Sequence, residues 1–327
     1  MKINKKCVLL LSSLISSWLF ISGCKDTLEA PSEEITLIEG AVAREEDGNH
    51  TNYNLTEGKY NKLEVEKAIA VYDTVSGNYV YEKDGKVFVK YKDRDIEVLD
   101  KNIINPKLSQ DGEYFSYFKR VEYMELVVIR LKDNEKIKIN SIVSISGDLM
   151  DWSNGNIVYY GVNENKINGI FSYNIESKKE ELIYALESGY LEFLEYSKEG
   201  IVFLQETVYG KKTLKSVNKD KEVKIIIEDI VELEDIEITE KGIFVLGKMK
   251  DENYSIYEVK DGNFNRLIYD FPNLIHLEKG LSSDSNGNIL FVGSTDSFEK
   301  ENIYIYEDGY VKSMTNDNAK YYFVDIQ

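Results

Sequence analysis

Hydrophobic residues in this chain come in short runs, and the runs share a preface. A hydroxyl or acidic residue comes first, a turn glycine follows, and an apolar stretch begins directly after it. The pattern is clearest in Thr74-Val75-Ser76-Gly77-Asn78-Tyr79-Val80-Tyr81 and Ser109-Gln110-Asp111-Gly112-Glu113-Tyr114-Phe115. It returns in Ser153-Asn154-Gly155-Asn156-Ile157-Val158-Tyr159, in the segment from Ser197 through Gly200-Ile201-Val202-Phe203, and in Thr239-Glu240-Lys241-Gly242-Ile243-Phe244-Val245. Ser285-Asn286-Gly287-Asn288-Ile289-Leu290-Phe291 is a further copy, and Glu39-Gly40-Ala41-Val42-Ala43 is a weaker one. Successive glycines lie 37, 35, 43, 45, 42 and 45 residues apart. A strand-rich unit repeating near that period corresponds to one blade of a propeller.

Strands can be placed within each unit. An apolar or proline residue sits six positions before each clear glycine, at Val71, Pro106, Leu149, Leu194, Ile236 and Leu281, and marks an innermost strand facing a central channel. Hydroxyls three residues before the glycine suit a side-chain-capped turn, and the glycine supplies its positive φ. The next run is apolar without alternation, as in Ile157-Val158-Tyr159-Tyr160, which fits a strand buried on both faces. Third strands follow at Lys86–Tyr91, Gly169–Tyr173, Tyr254–Tyr257 and Asn302–Tyr306. More charged outer strands follow at Asp95–Leu99, Lys136–Ile139 and Glu222–Ile225, where charge protects an edge.

The chain ends in Tyr322-Phe323-Val324-Asp325-Ile326, an inner-strand pattern with no outer strands after it. Ile35–Ala43, Thr51–Leu55 and Tyr60–Glu66 offer the three missing strands. The expected fold is therefore an all-β propeller of seven four-stranded blades, the last shared between the two termini. A six-bladed ring with the N-terminal region outside it is the alternative.

The turn Ser109-Gln110-Asp111-Gly112, followed by Tyr114-Phe115, resembles the Ser-Pro-Asp-Gly turn of TolB-like (WD40-like) propeller repeats. Similar repeats occur in the propeller domain of prolyl oligopeptidases. Gln110 replaces the usual proline, and other copies lack the aspartate. The resemblance implies a fold and leaves function open, since propellers serve as scaffolds, ligand binders and enzymes.

At the start of the chain, Lys2, Lys5 and Lys6 precede an apolar stretch from Val8 to Ile21, the length of a signal-peptide core and short for a membrane span. It ends in Ile21-Ser22-Gly23-Cys24, which resembles the lipobox of bacterial lipoproteins. That resemblance implies removal of residues 1–23, diacylation of Cys24, and attachment to the outer face of a cell membrane through the lipid. An ordinary secreted protein with a cysteine at the cleavage site is the other reading. Residues 24–34, with Pro31, read as a tether, and residues 35–327 as one domain. With Cys7 in the signal and Cys24 lipidated, no thiol remains for a disulfide.

Formal charge is −18, and residues 1–23 carry three lysines and no acid, so the remainder stands three lower at −21. Such a surface repels nucleic acid and anionic headgroups, leaving the lipid as the membrane contact.

Catalytic signals are sparse. The chain has two histidines, no Gly-x-Ser-x-Gly elbow and no dinucleotide or phosphate loop. His276, in Leu274-Ile275-His276-Leu277-Glu278, is either a channel-facing ligand or base, or a hydrogen-bonded wall residue. His50 follows Glu45-Glu46-Asp47 in an expected loop, which is either a cation site or a solvated acidic loop. Asp284-Ser285-Asn286-Gly287-Asn288 lacks the glycine and distal glutamate of a calcium loop and reads as a repeat turn. The acidic stretch Glu228–Asp235 reads as strand ends on either side of an inter-blade loop. No cofactor or metal is called for.

The remaining candidates are loops between second and third strands. They place Tyr123, Tyr209 and Phe298 in otherwise polar surroundings, as aromatic binding anchors or as residues folded back on their own blades. The expected function is a non-catalytic binding or scaffold module for a protein or cell-envelope component. The alternative is a carboxylate-dependent glycan lyase or hydrolase.

Overall fold

The computed structural model describes residues 35–327 apart from 199, 297–299 and 318. Strands and tight turns make up nearly all of them, and among the described residues Leu277–Lys279 forms a single 3-10 turn. Signal, tether and Cys24 lie outside the described residues, as does Phe298.

Most strands pair antiparallel with their neighbours in the chain, as expected for meanders, and two sheets gain a strand from the C-terminal segment. The meander Ile103–Leu108, Tyr114–Arg120, Met124–Arg130, Glu135–Ile137 is representative. The glycine turns lie between first and second strands. Gly112 has φ +65°, and a Cβ there would run into the Ser76 hydroxyl of the neighbouring turn, so the repeat glycine answers both to backbone conformation and to close approach. This end of every sheet is the turn end. The opposite, loop end carries the second-to-third loops and the connections to the next sheet.

Two features depart from the sequence expectation. The stretch Glu228–Asp235 contains no loop: Val223–Ile238 is one 16-residue strand, which joins two meanders into a seven-stranded sheet. It has no glycine, proline or asparagine to stop it, and β-bulges between Ile230 and Glu232 and between Leu233 and Asp235 take up the change of direction. The first strand of the N-terminal region is Val42–Glu46 rather than 35–43, and His50 lies in the strand Asn49–Thr56 rather than in a loop.

The C-terminal segment serves two sheets. Lys320–Phe323 pairs antiparallel with Val42–Glu46, and Asp325–Ile326 then pairs in parallel with Ala68–Tyr72.

Cores form between successive sheets. Val71, Val80 and Val89 meet Leu108, Phe115 and Tyr117. Phe118 and Val128 meet Trp152 and Tyr159, and Tyr160 and Ile170 meet Leu194 and Phe203. Leu204 and Leu214 meet Val245 and Tyr257, and Phe244 and Ile256 meet Phe291 and Tyr304. Leu290 and Val292 meet Val42 and Tyr321, while Leu37, Ala41 and Val324 pack with Ile69 and Tyr81. Second strands are thus covered on both faces, which explains their unbroken apolar runs. Each such Val, Leu, Ile or Phe contributes about 1.5–3 kcal/mol of burial.

Candidate functional site

Neighbouring first strands approach one another around an inner cleft. Val71, Leu194 and Ile236 turn into the inter-sheet cores instead of toward this cleft. Because strand side chains alternate, residues one position away face the cleft, and Lys107, Glu195, Asp235 and Glu237 are charged; Asp151 and, from the C-terminal segment, Asp325 join them.

Most of these acids have their oxygens engaged. Asp151 accepts the Trp152 N–H at 2.8 Å and the Tyr196 N–H, one repeat on, also at 2.8 Å. Asp235 repeats the arrangement with Ile236 at 2.9 Å and Leu281 at 2.6 Å. The Ser283 hydroxyl donates to Glu237 at 2.8 Å. Lys107 pairs with Asp325 at 2.8 Å. Gln327 ties the C-terminal segment to two first-strand ends, its side-chain oxygen accepting the Leu108 N–H at 3.1 Å and its backbone carbonyl the Thr74 N–H at 2.9 Å.

Glu195 differs: it makes no hydrogen bond among the described residues and borders a cavity of about 140 Å³ with Lys107 and Asp325. Burial, only partly offset by Lys107, pushes its carboxyl well above the usual range. Burial also raises Asp235 to about 6 and Glu237 to about 7. For Lys107, burial works against the charge, but Asp325, Asp151 and Glu195 outweigh it and hold the amine protonated.

His276 is 2% exposed and faces Glu278 at 3.4 Å, so it is a wall residue of its sheet. Among the described residues no three His, Cys, Asp or Glu side chains are grouped as metal ligands would be.

Tyr123 and Tyr209 stand in second-to-third loops, 69% and 94% exposed. They belong to different sheets, so the structure does not bring them together in one pocket. They have company that the sequence reading missed. Leu99, Val121, Ile142, Val208, Tyr269 and Phe271 are also exposed, each in a loop or connection at the loop end, and Tyr190 is exposed at the start of the strand Tyr190–Ser197 beside them. Val121 and Val208 share the second-to-third loops with Tyr123 and Tyr209, whereas Leu99, Ile142, Tyr269 and Phe271 are apolar residues in connections between strands of successive repeats, which sequence reasoning did not single out.

No family model and no curated protein matches the chain. Solved structures do. An oligogalacturonate lyase from Vibrio parahaemolyticus is similar at 14% identity over 85% of each chain, with a TM-score of 0.50. A prolyl endopeptidase is similar at 11% identity, TM-score 0.55, over 77% of this chain and 43% of its own. A quinoprotein alcohol dehydrogenase-like protein from Bacteroides thetaiotaomicron is similar at 10% identity, TM-score 0.55, over 86% of this chain and 78% of its own. Looser likenesses include the β-propeller domain of the Trilobed protease from Pyrococcus furiosus and TolB from Acinetobacter baumannii. At such identities the first three likenesses speak to fold alone, and the chain is all-β with propeller-like neighbours.

Proposed function

We propose that this chain is a lipid-anchored extracytoplasmic β-propeller of TolB-like type that binds a protein or envelope component through its loop end. One observation carries the reading: most of the strongly exposed apolar side chains lie at that end of successive sheets, with Val75 and Tyr310 at the turn end as exceptions, whereas most of the cleft carboxylates are held by backbone and side-chain donors. Seven blades closed through the C-terminal segment are part of the proposal, supported by the seven inter-sheet cores and the Lys320–Phe323 pairing. Anchoring rests on Ile21-Ser22-Gly23-Cys24. Ile35, where the described chain begins, accepts the Tyr72 hydroxyl at 3.0 Å near the turn end.

The test is capture from native membranes by the lipidated protein. Tyr123→Ala and Tyr209→Ala each weaken capture, with a true anchor costing about 2 kcal/mol. Equal capture by both variants counts against the reading. Cys24→Ser abolishes lipid labelling, and a variant that stays labelled removes the anchor.

A carboxylate-dependent glycan enzyme is the second reading, favoured by Glu195, a raised carboxyl without a hydrogen bond beside Lys107. Its cavity of about 140 Å³ is below the roughly 300–1,000 Å³ of most ligand sites. Turnover of oligogalacturonate that disappears in Glu195→Gln would establish it over the binding reading.

A further inference from the structure

One sheet has an incomplete outer edge. In the meander containing Met124–Arg130, the fourth strand Glu135–Ile137 pairs only with Val128, Ile129 and Arg130. No strand among the described residues pairs with Met124–Val127 on that side. The equivalent fourth strand Glu180–Ala185 follows its neighbour from Gly169 to Tyr173. Here the chain peels away after Ile137, and a groove of about 760 Å³ lies between the uncovered edge and the departing segment.

The groove has the chemistry of a strand site. Met124 and Leu126 project toward Ile139, Val143 and Ile145, giving an apolar floor on alternate positions of one face. Lys119, Lys136 and Lys138 line it, against Asp100 and Glu125, in a chain whose formal charge is −18. Asp100 is already held by Lys119 at 2.8 Å and Lys136 at 2.7 Å, while Lys138 is exposed. Tyr123 stands at the rim.

We infer that this groove accepts an extended acidic peptide segment, which adds as a strand to Met124–Val127. Backbone hydrogen bonds complete the sheet, alternate apolar side chains enter the floor, and acidic ones meet Lys138 and its neighbours. The inference rests on the binding reading above and names the partner's chemistry at one of its loops.

The probe is a synthetic peptide alternating valine and glutamate, with a copy N-methylated at alternate residues as control. With saturating peptide, amide exchange at 124–127 slows by about tenfold or more. The N-methylated copy gives no protection, and Lys138→Glu weakens binding by about fivefold, an exposed change that leaves the fold intact. Unchanged exchange, or equal binding of the N-methylated copy, overturns the inference. So does protection without peptide that grows with protein concentration, because a second copy of the chain would then fill the edge. If the peptide fails while membrane capture still depends on Tyr123 and Tyr209, strand addition is lost and the binding reading survives. If the peptide binds as expected while capture ignores both tyrosines, the loop-end reading fails instead.

Discussion

At the turn end of the sheets, polar side chains reach across to the next repeat; at the loop end, apolar side chains reach into solvent. Asn78 donates to the Gly112 carbonyl at 3.0 Å, Gln110 accepts the Asn154 N–H at 2.8 Å, and Thr239 donates to the Gly287 carbonyl at 3.3 Å. Tyr209, Leu99 and Tyr269 at the other end are more than half exposed. The first set joins neighbours and leaves little free valence for a ligand. The second contributes little to folding and is therefore available for a partner. On the proposed reading, polar residues here serve the fold and apolar ones serve the partner, the reverse of the usual first guess.

The largest expected effect comes from cutting the segment that joins the two ends of the chain. Deleting residues 321–327 removes the pairing with Val42–Glu46 and the Lys107 partner, and should cost on the order of 5 kcal/mol in a thermal or urea melt. An unchanged melting temperature would break the seven-bladed closure and favour six.

Asp151→Ala comes next. It strips the acceptor from two backbone N–H groups on adjacent sheets and should lower unfolding stability by about 3 kcal/mol in urea titration. A loss below that of an average surface change would mean the cleft acids are not staples.

A pH series sharpens the same contrast. Asp235 and Glu237 titrate near 6 and 7 when folded, above their unfolded values near 4. Between those values the folded state holds more protons, so stability falls as pH rises from about 4 to about 7. Glu237→Gln should flatten that slope and raise stability at pH 8 by about 2 kcal/mol. A slope of the opposite sign would contradict the burial of these groups. The smallest effect belongs to the loop end: Tyr123→Ala and Tyr209→Ala should move the urea midpoint by no more than about 0.5 kcal/mol.

The fold was legible because its determinants are local. Turn glycines and unbroken apolar second strands, such as Gly155 before Ile157-Val158-Tyr159, need no distant partner to be recognised. The cleft was not legible. Asp151 and Asp235 differ from surface acids only in what they meet 45 and 46 residues later. The groove beside Met124 was hidden for a related reason: Lys136–Ile139 has strand character throughout, but pairing stops at Ile137, and where a strand leaves its partner is a tertiary decision.

The strand Val223–Ile238 makes one part of the molecule unlike the rest. Elsewhere a repeat can fray at its connection while its neighbour stays shut. Here a single hydrogen-bonded ribbon runs through two repeats, and opening one pulls on the ladder of the other. Residues 190–266 should therefore exchange as one cooperative block, unlike repeats joined only by a loop.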